Sequence, residues 1–274
     1  LLHPKNPSPN SQTSPPKAAL IDHLSFSSPP PNETFKSQCR TILENASFHF
    51  TYYRGEEVTV DFYRNLPFQD YKLIILRVHS ARIQNETSEG PFIGLFTSEI
   101  YNEASETKYL DDLGAYRLAI AFFTEGGDKY LGITEWFVRD RMIGTFKNTV
   151  IIMMGCEGLN RTSMAKEFHQ KGAKVYISWT GPVAISHTDD ATIRLLQSLL
   201  QQNQTIKTAV KGISHDPRWW WSTLDYYPNK GTDDVGNKVL QDFISGPTLR
   251  INEIGVICYK VCSFSSSNRF EAMK

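Results

Sequence analysis

The chain of 274 residues carries 29 Lys plus Arg against 29 Asp plus Glu, with 40% hydrophobic and 12% aromatic residues. That length is ample for a buried core, as one large domain or two small ones. The balanced charge excludes a global field that would draw in nucleic acid or an acidic surface. The longest apolar runs hold about five residues, where about 20 are needed to cross a bilayer, so the sequence reads as a soluble domain.

The sequence opens at Leu1-Leu2 without Met, which suits an upstream signal peptide or anchor as well as a trimmed tail. Residues 1–17 are rich in Pro, Ser and Asn and are expected to be a flexible linker, one that could hold the domain away from a lost N-terminal membrane anchor. Four cysteines (Cys39, Cys156, Cys258, Cys262) have no metal-ligand spacing, and Cys258 and Cys262 sit four apart in one expected strand, too far for a routine bridge. His49, His169, His187 and His215 form no metal set either, so neither metal nor cofactor is expected. Asn-x-Ser/Thr sequons at Asn32, Asn45, Asn85, Asn160 and Asn203 favour an extracytoplasmic setting.

After the linker, 18–26 reads as a buried strand and 33–46 as a helix with Phe35, Cys39, Ile42 and Leu43 on one face. Alternation predicts a strand over 47–55; a short helix or turn follows over 58–66, and 71–80, apolar through its middle, predicts a central strand covered on both faces. This β-α-β-α-β order implies an α/β domain with a mainly parallel central sheet, spanning 18–274. Residues 81–134 are polar and Gly-interrupted and predict a β-rich insertion. Then follow a helix over 135–146, a core strand over 149–155, a helix over 161–172 stopped by Gly172, a strand over 173–181 and helical sequence over 186–202 and beyond. The segment from Asp216 reads as loop or irregular helix, and 249–264 as strand material.

In open α/β sheets, ligands bind beyond the carboxyl ends of the strands. Two core strands here end on residues capable of nucleophilic chemistry: "LIILRVHSA" delivers His79 and "VIIMMGCEG" delivers Cys156. On neighbouring parallel strands the two tips lie about 5 Å apart. An imidazole there can help form a thiolate and later protonate a leaving amine. Gly155 and Gly158 let the backbone turn tightly and offer N–H groups to a carbonyl oxygen. Alone, each residue reads as structural, since Cys and His at strand ends are commonly inert; together they read as a dyad.

Three cysteine chemistries differ in order and spacing. A tyrosine-phosphatase loop needs five residues between Cys and Arg, and Cys156 to Arg161 leaves four. A glutaminase-like amidohydrolase would have Gly two before the Cys, where Met154 stands, and a later His-x-acid, which "HTD" at 187–189 imitates at the head of a helix. The third order, a His strand upstream of a Cys strand, resembles the caspase-fold (clan CD) cysteine peptidases. The matching stretches are "YKLIILRVHSA", "TVIIMMGCEG" and "SMAKEFHQKGAKVYISWTGPVAISHTDDAT". They cover about residues 18–210 and are most similar to the clostripain, gingipain and CHAT side of that superfamily.

The resemblance implies a three-layer α/β/α sandwich and an endopeptidase acting on a protein or peptide substrate, in which Cys156 attacks the scissile carbonyl and His79 serves as acid or base. The backbone N–H groups of Cys156 and Ser80 would form the oxyanion hole, although relatives have Gly where Ser80 stands. Trp179 would wall the first substrate pocket, with Glu157, Asp189 and Asp190 nearby; a buried carboxylate there selects Arg or Lys before the cut bond. An acid in a first helical turn is also ordinary dipole matching, and Glu157 reads equally as solvent-facing. Self-cleavage near Lys129, Arg139 or Arg141 is a further expectation, and the sequence fixes no choice between monomer and dimer. Trp219-Trp220-Trp221 reads as packing or, more sharply, as a peptide-binding wall. The rival from another class is a catalytically inactive caspase-like protein-binding module, with Ser80 marking a relaxed site.

Overall fold

The computed structural model describes residues 14–27, 31–83, 92–122 and 127–244, all within one compact unit, Leu1–Ile244. The strand expected at 249–264, Cys258, Cys262 and the Asn85 sequon fall outside the described residues.

The first half runs β1 (Lys17–Asp22), α1 (Leu24–Ser27), α2 (Glu33–Asn45), β2 (His49–Arg54), α3 (Val60–Asn65) and β3 (Tyr71–Arg77). Next come β4 (Ser80–Ile83), β5 (Phe92–Ile100), α4 (Glu103–Lys108), α5 (Leu110–Gly114), β6 (Leu118–Phe122) and β7 (Lys129–Ile133). The remainder is α6 (Glu135–Arg141), β8 (Val150–Met153), α7 (Ser163–Gln170), β9 (Val175–Trp179), α8 (Ile185–Leu196), α9 (Ile206–Lys211), β10 (Leu224–Tyr227) and α10 (Gln241–Ile244).

Two sheets result. The central one has the order β10-β9-β8-β3-β1-β2; every pair is parallel except β10 with β9. Its inner strands are apolar throughout because both faces are covered. Ala19, Ile21, Ile74, Leu76, Ile151 and Met153 enter one core with Phe137 and Phe168 of α6 and α7. Their neighbours Ala18, Leu20, Leu73, Ile75, Val150 and Ile152 enter the other, with Cys39 of α2 and Leu195 of α8. The insertion is a separate antiparallel sheet, β4-β5-β7-β6, to which α4 and α5 add helices that the polar sequence did not suggest.

Several elements are shorter than the periodicity implies. The 18–26 strand stops at Asp22, and residues 24–27 turn into a helical turn. The 71–80 strand stops at Arg77, because Ser80 leaves the central sheet to pair with Leu95 in the second. The 135–146 helix ends at Arg141, where Met142 turns extended, and Gly144 then takes φ 83°. Residues 224–227, expected as loop or irregular helix, form β10: pairing with β9, rather than local propensity, makes this four-residue edge a strand.

Candidate active site

The two strands read from the sequence as carriers of the dyad are neighbours. β3 and β8 pair in parallel with Leu76 opposite Met153, and His79 and Cys156 each lie three residues beyond that pair, on one rim of the sheet. Gly155 makes the approach possible. A Cβ there would collide with Oγ of Ser80 and the carbonyl of Val78, so the two tips touch through a position only glycine can fill. A side chain on Gly158 would likewise strike Met153 and Ser178.

Ser80 is turned inward. Its hydroxyl donates to the Cys156 carbonyl at 2.5 Å and the residue is buried. The hydroxyl thus ties the two strand tips together. The Phe96 amide donates to the His79 carbonyl at 3.0 Å. Ser80 and Leu95 thus form a non-hydrogen-bonded pair, and the Ser80 N–H points away from β5.

The Cys156 sulfur is half-buried against the loop that joins β9 to α8. The Val183 amide donates to Sγ at 3.4 Å, and the thiol donates to the Val183 carbonyl at 3.6 Å. Glu157 sits in the left-handed region (φ 59°) and its amide donates to the Gly181 carbonyl at 2.9 Å. Burial pushes the thiol above its ordinary range; Glu157 and Asp216 push the same way, while the amides of Val183 and of Cys156 itself pull it back.

His79 is clasped by rings, with Phe96 of β5 at 5.9 Å and His23 edge-on at 6.3 Å. Burial, with the nearby Arg77 charge, lowers its pKa to about 4, so the imidazole is neutral near pH 7 and equipped to accept a proton. His23 follows β1, the next strand in the sheet, so three strand tips present Cys156, His79 and His23 in a row. It is fully buried, and its Nε2 lies 3.2 Å from the Thr97 carbonyl. That oxygen can only accept, which fixes the proton on Nε2. Burial, then His79, bring its pKa down to about 4 as well.

The expected substrate residues separate. Trp179 is buried, donates from Nε1 to Thr188 at 3.0 Å, and packs with Val183 and Ala191 behind Cys156. Asp189 points the wrong way for a specificity acid: it is buried and held by Arg77 through two 2.8 Å bonds and by Asn32 at 2.9 Å. Arg77 also bonds Asp22 at 2.8 Å, so the Asp189 charge is consumed inside the fold and cannot select a basic side chain. Asp190, one position on, is exposed, and Glu157 is partly exposed. His187 and Asp189, the acid-base pair a glutaminase would need, serve different partners, since His187 Nε2 meets the Ser214 carbonyl at 3.1 Å. Among the tryptophans the packing expectation fails twice: Trp220 and Trp221 are 73% and 55% exposed.

Sequence reasoning passed over His23, Arg77, Phe96, Val183 and Asp216. The strand-tip argument that found His79 applies equally to His23, whereas Asp216 has no sequence signal, its role being visible only once two loops meet. A cleft of about 430 Å3 lined by Lys207, Lys211, Asp225 and Asp234 lies beside β10 and does not include His79 or Cys156. Among the described residues, no group of three or more His, Cys, Asp or Glu is placed to hold a metal ion, and no helix is long and apolar enough to cross a membrane. No protein-family model matches the chain, and no curated protein matches it.

Proposed function

We propose that this protein is a caspase-like cysteine endopeptidase in which Cys156 is the nucleophile and His79 its acid and base. The observation that carries the reading is that both residues lie three positions past Leu76 and Met153, the last paired residues of adjacent parallel strands. His79 would take the thiol proton as sulfur attacks the scissile carbonyl, and return it to the leaving amine as the C–N bond breaks. The amides of Ser80 and Cys156 would receive the oxyanion. Asp189 is held by Arg77, so it gives no support to a preference for Arg or Lys before the cut bond.

Incubating the full chain with a peptide library tests this. Wild type is expected to cleave and both Cys156→Ala and His79→Ala to fall to background while unfolding at the same temperature as wild type. Undiminished cleavage by Cys156→Ala would remove the nucleophile assignment. The raised thiol pKa favours a second reading, a caspase-like module that binds protein without cutting it. Selective labelling of Cys156 by acyloxymethylketone probes would reject that reading; peptide capture without labelling would support it.

A further inference from the structure

Val183 and Ala184 share one trans peptide plane, whose carbonyl and N–H point in opposite directions. The carbonyl accepts the Cys156 thiol at 3.6 Å. The N–H donates to Oδ2 of Asp216 at 2.7 Å. One peptide unit is therefore pinned between a buried carboxylate and the candidate nucleophile. We propose that Asp216 is a positioning residue that, through this plane, latches Cys156 as a thiol until the 180–184 loop is displaced.

Three effects act in one direction. An anionic acceptor on the N–H polarises the peptide and makes the Val183 oxygen a better acceptor for the thiol proton. The Asp216 charge itself disfavours a thiolate. The pinned loop also keeps solvent from the sulfur, and desolvation is what raises a thiol most. Against them stands the Val183 amide, which donates to the sulfur. The groups that face this region are Glu157 and Asp216 toward Cys156, and His187 and Arg218 toward Asp216.

The latch is anchored rather than incidental. Asp216 is 1% exposed and also accepts from the Arg218 amide at 2.9 Å. Although burial works against it, the two amides hold its carboxyl below the usual carboxylate range. Its loop is tied to the 180–184 loop again where Thr180 N–H meets the Thr223 carbonyl at 2.9 Å and Thr223 N–H meets Thr180 Oγ1 at 3.0 Å. Substrate that draws the 180–184 loop outward would break the thiol–Val183 contact and leave the proton to His79. This deepens the peptidase reading, since a latch on sulfur matters where sulfur is the nucleophile.

The test is the pH profile of iodoacetamide alkylation at Cys156 in the full chain, read site by site by peptide mass spectrometry. Asp216→Ala is expected to move the half-maximal pH down by about one unit, which raises the rate at lower pH about 10-fold because only thiolate reacts. Asp216→Asn keeps the shape, loses the charge and is expected to shift the same way by less; it decides the matter where the alanine variant does not fold. The buried Cys39 is the internal control for general loosening. Superimposable profiles, a shift to higher pH, or equal acceleration at Cys39 would each overturn the latch. A chain that cuts no peptide yet shows the shift keeps the latch and loses the peptidase.

Discussion

Arg77 grips Asp189 side-on, Nε to Oδ1 and the terminal nitrogen to Oδ2, each at 2.8 Å, while its other terminal nitrogen holds Asp22. The three side chains are nearly sealed from solvent, and Asn32, whose Oδ1 caps α2 at Phe35, adds its amide to Asp189. The C-terminal ends of β1 and β3 are thereby fastened to α8 and the start of α2. Removing Asp189 strips two charge-assisted hydrogen bonds from a buried guanidinium and leaves Asp22 as its remaining carboxylate partner. Asp189→Ala is expected to cost about 3 kcal/mol of unfolding free energy, since removal of one partner of a buried pair typically costs 3–5. A urea midpoint equal to wild type would show that the carboxylate is not structural.

Gly155 is the second position where the rim tolerates no change. Its missing side chain is what lets Val78 and Ser80 lie against the Cys156 strand. Gly155→Ala would force the tips apart and disturb the short Ser80–Cys156 hydrogen bond. The expected loss is about 2 kcal/mol, within the range for overpacked sites, accompanied by slower turnover of any peptide that wild type cuts. Wild-type values for both quantities would separate the glycine from the placement of His79 and Cys156.

The parallel sheet was legible because its inner strands are apolar on both faces, a pattern that few alternatives share. Leu73 to Leu76 and Val150 to Met153 could hardly be read otherwise, and the residues that follow them had to emerge at a rim. What could not be read is the pairing that depends on distant partners. Nothing local marks Leu224–Tyr227 as an edge strand. Asp189 looks like any acid in an early helical turn until Arg77 is brought to it across the sheet. His23 is hidden for a smaller reason: the 18–26 run reads as one strand through it to Phe26, which conceals a strand tip. Trp220 and Trp221 read as packed because bulk alone predicts burial, whereas loop geometry exposes them.

Acid should act on this fold through its buried imidazoles. His23 and His79 both have pKa values lowered from 6.5 to about 4. Between those pH values the unfolded chain binds more protons than the folded one, so stability is fully present above about 6.5 and declines as pH falls toward 4. Arg77 opposes protonation of His79, and His79 opposes that of His23, while the Thr97 carbonyl favours a charged His23. For the fully buried His23 the decline amounts to about 3 kcal/mol, from 1.36 kcal/mol per pKa unit. His23→Phe keeps a ring beside His79 and Phe96 but cannot titrate. Its stability is expected to change less between pH 6.5 and 4 than that of wild type; an identical slope would acquit His23 of the effect.

Trp220 and Trp221 stand edge to face at 6.0 Å with most of their surface in solvent. Their loop is nonetheless held firmly, with the Trp219 amide donating to the Asp216 carbonyl at 3.0 Å and the Ser222 amide to the Trp219 carbonyl at 2.8 Å. The backbone is therefore set by Asp216 and Ser222, not by the indoles, and removing the indoles should leave it in place. Trp220→Ser and Trp221→Ser are each expected to alter unfolding free energy by less than about 0.5 kcal/mol, as exposed substitutions commonly do. Because both rings are wet, each variant should also lose red-shifted fluorescence and quench less with iodide. A stability loss of about 3 kcal/mol, the figure for a large aromatic taken from a core, would return these side chains to the packed interior and undo the exposed arrangement of the loop.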